Sequence, residues 1–155
     1  MFKTLFSTFI LLVCVLNVSV VKAENNAEGL AKLQGIWGGI GIQDREAWSI
    51  KLDLSDKHQP LITYPSIPCA GKLVFLKQVQ ETYIFREEIT EHTDNCINQG
   101  TLEITPIDPN TLQWTWYKPN ELRVMSYLNK FANEQAYNAY VSQLLASYQT
   151  KTWEY

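Results

Sequence analysis

The sequence predicts a mainly β fold, an antiparallel barrel or sandwich of about eight strands followed by one C-terminal α-helix. Three observations carry this. Short segments alternate apolar and polar residues with period two and are separated by turn residues every eight to twelve positions or so, the pattern of half-buried strands in small all-β domains. Two cysteines, Cys69 and Cys96, bracket two of these segments. After Asn129 the apolar period changes to three and four, the spacing of an amphipathic helix.

The alternating segments place strands near Ile36–Ile42, Ala47–Leu54, Leu61–Tyr64, Lys72–Lys77, Thr82–Thr90, Thr101–Thr105, Thr111–Tyr117 and Leu122–Leu128. Turns are signalled between them by Asp44-Arg45, by the run from Ser55 to Pro60, by Asp94-Asn95 through Gly100, by Asp108-Pro109-Asn110 and by Lys118-Pro119-Asn120. Successive side chains of a strand point to opposite faces, so parity assigns the core. Trp48, Ile50, Leu52 and Leu54 share a face opposed by Ser49, Lys51 and Asp53; Leu102 and Ile104 oppose Thr101, Glu103 and Thr105; Leu112, Trp114 and Trp116 oppose Gln113, Thr115 and Tyr117. Tyr137, Tyr140, Val141, Leu144, Leu145 and Tyr148 form the helical stripe, with Asn133 as its cap, and this stripe is expected to pack on the outside of the β unit. The tail Thr150–Tyr155 returns to β-type residues that suit pairing with an edge strand.

The first 23 residues read as a signal peptide. Lys3 gives a positive start, Leu5 to Val21 is nearly unbroken apolar sequence, and Val21-Lys22-Ala23 ends it with a cleavable pattern. An uncleaved anchor and a lipidated Cys14 are the rival readings; Val13 is bulkier than the small residue that usually precedes a lipidated cysteine. The expected organisation is therefore residues 1–23 as signal peptide, 24–32 as a polar lead-in, 33–128 as the β domain, and 129–155 as helix and tail packed on it. Cleavage leaves 11 basic and 16 acidic side chains, a net charge of −5, which argues against nucleic acid and anionic membrane as partners. It also leaves only Cys69 and Cys96, and an even pair in an exported chain reads as a disulfide. Closing that loop stabilises a fold by about 3 to 4 kcal/mol on the chain-entropy argument. The chain is expected to be secreted or periplasmic, with no stable membrane insertion once the leader is gone.

Gly35-x-Trp37 at the first strand resembles the opening motif of the lipocalins and their calycin relatives, and eight short strands followed by a helix is their order too. That resemblance implies a lipocalin-like barrel in which the tryptophan packs across one end. A second resemblance is carried by Tyr64-Pro65-Ser66-x-x-Cys69-x-Gly71-x-Leu73, then Phe85-Arg86-Glu87-x-Ile89-Thr90, then Cys96 and Gly100. Over Gly35–Trp116 this is similar to a largely uncharacterised family of small exported bacterial β domains. It implies a Cys69–Cys96 disulfide and a compact β fold, and it brings no activity. The aromatic helix and tail depart from that family's pattern.

Glu87 shares parity with Tyr83, Phe85 and Ile89, which puts a carboxyl on an apolar face. A charge there must pair, accept hydrogen bonds or shift its pKa upward. Glu87 is expected to be a structural partner for an arginine or a tyrosine hydroxyl, or to orient a ligand inside the barrel, with general acid catalysis ranked last. Arg86, Glu88 and Glu91 fall on or beside the opposite, solvated face. Trp48, Trp114 and Trp116 either fill the barrel outright or line a lumen with Glu87 and Tyr83. Gly38-Gly39-x-Gly41 lies within a strand and marks a bulge, a bend or a place where another group packs close. His58 and His92 lie in turns with no second ligand at metal spacing, and Ser66 has no nucleophile-elbow context. No catalytic or metal residues and no cofactor are expected. The residues point to a non-catalytic exported binding protein holding a small apolar ligand. The alternative is a protein-binding module, such as an inhibitor of an exported hydrolase, docking through its loops or helix, whose tyrosines serve as barrel cover or as a contact patch.

Overall fold

In the computed structural model, residues 29–149 are described, apart from 57, 95 and 119–122. The expected signal peptide, most of the lead-in and the tail with Trp153 lie outside the described residues. The chain divides into two compact units after Lys32; of the first, residues 29–32 are helical.

The second unit is a closed antiparallel barrel of eight strands in sequence order. The strands are β1 (Ile36–Gln43), β2 (Glu46–Asp53), β3 (Leu61–Tyr64), β4 (Cys69–Val79), β5 (Thr82–Glu91), β6 (Thr101–Asp108), β7 (Thr111–Tyr117) and β8 (Arg123–Phe131). β8 closes the ring on β1 through Ile36↔Phe131, Trp37↔Lys130 and Gly38↔Asn129. The eight predicted strands are all present, which establishes the barrel over the sandwich. β4 is longer than its alternation suggested: its ends, Cys69 and Val79, extend past the apolar core of Leu73–Phe75. Register shifts at Ala70/Gly71 and Phe75/Lys77 bend this long strand against β5.

Turn chemistry accounts for the meander. Asp44 and Arg45 both take positive φ, 47° and 74°, the two-residue hairpin geometry whose twist matches the flanking strands. Inward positions follow parity: Ile50 and Leu52 of β2, Ile62 of β3, Leu102 and Ile104 of β6, and Leu112 and Trp114 of β7 are at most 1 % exposed. The end of the barrel where β1 starts is filled by the buried side chains of Trp37, Leu112 and Leu128. There Trp37 donates its indole N–H to Leu33 O at 2.7 Å, and Lys130 Nζ lies 5.1 Å from its ring centre. Gly35, at φ 135°, leaves space that a side chain would contest with Lys130.

Helix α1 (Glu134–Gln149) begins at Asn133, whose Oδ1 accepts the Ala136 N–H at 2.9 Å. It lies outside the barrel, over β1, β2 and β8, and buries Tyr137, Val141 and Tyr148. Gly38 carries no side chain because the Tyr137 ring occupies that space. A 2.6 Å ion pair between Lys51 and Glu134 and a tilted ring contact between Phe131 and Tyr140 fix the helix at its first turns. The three-and-four stripe thus covers β1 and β2, while Tyr140 stays 37 % exposed at the margin. Among the described residues, no helix is long and apolar enough to cross a membrane.

Candidate functional site

Opposite the Trp37 end, the barrel opens. The β1–β2 turn, the β3–β4 loop and the β5–β6 loop all lie at this mouth, as the strand order and direction require. Beneath them is a cavity of about 280 Å³, near the lower limit of the range usual for small-molecule sites, about 300 to 1,000 Å³. It is lined by Gln43, Glu46, Trp48, Tyr64, Ile67, Glu87, Cys96, Ile97, Trp114, Trp116 and Val124.

Glu87 is fixed at the barrel wall and is 1 % exposed. Tyr64 donates its hydroxyl to Oε1 at 2.5 Å, and Trp116 donates its indole N–H to Oε2 at 2.7 Å. Both oxygens accept, an arrangement that suits the ionised carboxylate. Burial opposes it and wins in direction: the Glu87 pKa is raised above its ordinary value, with the two hydrogen bonds acting to lower it. The same burial, and the neighbouring Glu87, push the Tyr64 hydroxyl well up, so it remains a donor. Of the roles expected for Glu87, the structure shows the partner of a tyrosine hydroxyl, and it places the same residue in the cavity lining.

Local sequence explains the geometry. The Glu87 N–H bonds Gly100 O at 2.9 Å, and a side chain on Gly100 would fall on the Trp116 indole. The absence of a Cβ at Gly100 therefore lets Trp116 lie flat toward Glu87. Gly41 does the same for Trp48, whose ring lies against it at the rim. Gly38, Gly39 and Gly41 are thus places of close approach rather than a bulge. Tyr64 ends β3 opposite Cys69. The loop after it is tied back to β2 by reciprocal bonds, Ser49 N–H to Ser66 Oγ and Ser66 N–H to Ser49 Oγ, each 2.8 Å.

The β5–β6 loop is tied twice. Asn98 continues the β5 ladder with its side chain, accepting the Ile89 N–H at 2.9 Å and donating to Ile89 O at 3.2 Å. Cys96 is bonded to Cys69 across a Cα separation of 6.4 Å, which joins this loop to the start of β4. Cys96 and Ile97 are consequently part of the mouth. The sequence treated the disulfide only as a staple for the fold.

Four of the five expected lumen residues, Glu87, Trp48, Trp114 and Trp116, line this cavity. Tyr83 does not. It is 3 % exposed and inward, but it sits at the far end of β5, four residues and so roughly 13 Å from Glu87 along the strand. Trp114 is 1 % exposed, and its indole N–H has no hydrogen-bond partner among the described residues. The outward face of β5 behaves as an outer face: Arg86 and Lys72 pair with Glu88 at 2.7 Å and 3.0 Å, and they hold its carboxyl below the usual range. Among the described residues, no group of three or more His, Cys, Asp and Glu side chains is placed to hold a metal ion. No protein-family model, no curated protein and no solved structure matches this chain.

Proposed function

We propose that this chain is a non-catalytic binding protein of the bacterial cell envelope or medium that holds a small ligand in the mouth of a lipocalin-like barrel. One observation carries the reading: a barrel of this size, with large inward residues, keeps a cavity of about 280 Å³ at its mouth, walled by three tryptophans and a hydrogen-bonded carboxyl. Such a combination of apolar walls with a few placed polar groups is the usual make-up of a small-molecule site. Glu87 has both oxygens engaged by Tyr64 and Trp116, so it is held as part of the wall and not presented for proton transfer. The packing of Trp37 under Lys130 supports the lipocalin-like resemblance of the opening motif. The Cys69–Cys96 bridge supports export, because such bridges persist in oxidising compartments.

Toluene, titrated into 15N-labelled protein, tests the reading through the indole N–H signals. The expected result is that those of Trp48, Trp114 and Trp116 shift while that of Trp37, at the opposite end of the barrel, stays fixed. Uniformly fixed signals up to the solubility limit would overturn it.

A second reading, docking on another protein such as an exported hydrolase, is favoured by one observation. Ile42 on β1 and Met125 and Tyr127 on β8 are each about half exposed on the outer face, at 47 %, 54 % and 55 %, and these strands are neighbours. Co-purification of a stoichiometric protein, lost on Met125→Lys with Tyr127→Lys, supports that reading; retention of the partner by this variant contradicts it.

A further inference from the structure

We infer that the mouth cavity takes a small organic ammonium ion with a compact apolar group, with Glu87 as its fixed counter-charge and Trp48, Trp114 and Trp116 as its walls. The inference deepens the ligand-binding reading and rests on it. Three features of the cavity separate a cation from the other ligand classes.

First, its charged lining is of one sign. Glu87 and Glu46 contribute carboxyl groups, and among the described residues no lysine or arginine lines the cavity. Arg123 starts β8 at this end of the barrel, but it neighbours the inward Val124 and so faces out, where it acts on Tyr117. Within the described lining an anionic ligand would therefore meet two carboxyl groups and no cationic side chain. Second, Glu87 is a buried carboxyl satisfied only by neutral donors, Tyr64 and Trp116. A buried charge of this kind gains most from an opposite charge brought into the same low-dielectric space. With its two oxygens held by Tyr64 and Trp116, it acts on an occupant as a fixed charge in the wall. Third, the walls are tryptophan, the aromatic that attracts ammonium groups most strongly through its ring face. Three of them line one cavity here, together with the Tyr64 ring.

Size limits the occupant. At about 30 Å³ for each water in the liquid, 280 Å³ holds roughly nine waters. A ring with a short amine tail suits that space, while a fatty acid or a sterol does not. Glu46 on the inward row of β2 and Gln43 on β1 leave the rim polar, so an ammonium headgroup stays partly hydrated during entry.

Calorimetric titration of the whole purified protein at neutral pH with three near-isosteric probes tests the inference: 2-phenylethylamine, 2-phenylethanol and phenylacetate. The amine is expected to bind at least about tenfold more tightly than the alcohol, and the acid more weakly than both. In Glu87→Gln, where the amide still offers one acceptor and one donor to Trp116 and Tyr64, the ratio of amine to alcohol affinity is expected to fall several-fold. The wild-type comparison needs no variant, so it stands if that substitution impairs folding. Alcohol binding equal to or tighter than the amine's would overturn the ammonium assignment and leave the ligand-binding reading in place. An amine preference undiminished in a folded Glu87→Gln protein would also overturn the role given to Glu87. Binding of none of the three, together with unmoved indole signals under toluene, would overturn both.

Discussion

Glu87 shows how one side chain can serve the fold and the cavity at once. Its pKa is raised by burial against the pull of the Tyr64 and Trp116 hydrogen bonds. A carboxyl whose folded-state pKa lies above its unfolded value binds its proton more tightly when folded. Its contribution to stability is thus complete below the unfolded carboxyl pKa and is lost as pH rises through the folded one. Urea unfolding followed from acid to neutral pH should accordingly show a decline in stability assignable to Glu87 and missing in Glu87→Gln; identical pH slopes in the two proteins would refute this. Glu87→Leu should be worse than Glu87→Gln, because Tyr64 and Trp116 would then be buried donors without acceptors, at about 1 to 3 kcal/mol each. Gly100→Ala tests the same arrangement from its other side. A Cβ there displaces the Trp116 indole from Glu87, so the variant should lose stability together with the indole N–H shift that the carboxylate imposes. The parity of β5 made the position of Glu87 legible in the sequence. Tyr64 was not legible as its partner, because it ends a four-residue strand and begins a stretch, Pro65-Ser66, that reads as turn.

Among the elements, the β5–β6 loop and helix α1 differ in what holds them. The loop, which contributes Cys96 and Ile97 to the mouth, depends on Asn98 and the Cys69–Cys96 bridge. Replacing both cysteines by serine should lower unfolding free energy by about 2 to 5 kcal/mol, measured by denaturant titration. It should also raise the dissociation rate of any cavity ligand, since the loop then stays only on Asn98. Helix α1 is held from its N-terminal half by Asn133, the Lys51–Glu134 pair and Tyr137 over Gly38. Asn133→Ala should remove about 1 kcal/mol, as N-cap losses do, with the mouth unaffected because the helix covers the outside of β1 and β2. Strand count, the helix, its cap and its inward stripe all followed from periodicity and capping chemistry. The length of β4 did not, because its two ends extend beyond the apolar alternation and are fixed by pairing with β3 and β5.

The second unit is a barrel whose two ends differ, and the difference follows from where its bulkiest residues fall along the strands. Trp37, Leu128 and Leu112 fill the end where β1 starts, while Trp48 and Trp116 sit at the mouth over glycines. The sequence identified which residues point inward but not their height along the barrel, because parity carries no axial coordinate. Tyr83 and Glu87 share a face of β5 and yet lie near opposite ends. Gln43, Glu46, Ile67, Ile97 and Val124 join the cavity only once the ring closes and the loops fold over it. Parity also could not weigh a filled barrel against a lumen: the inward tryptophans are largely buried, and a cavity lies beside them at the mouth. Native mass spectrometry of the protein purified gently from its own source tests most directly whether that cavity is a binding site. The expected result is a retained small mass, absent from Val124→Phe, whose added ring occupies the cavity. A bare chain from the native source, with toluene leaving all the indole signals unmoved, would contradict it.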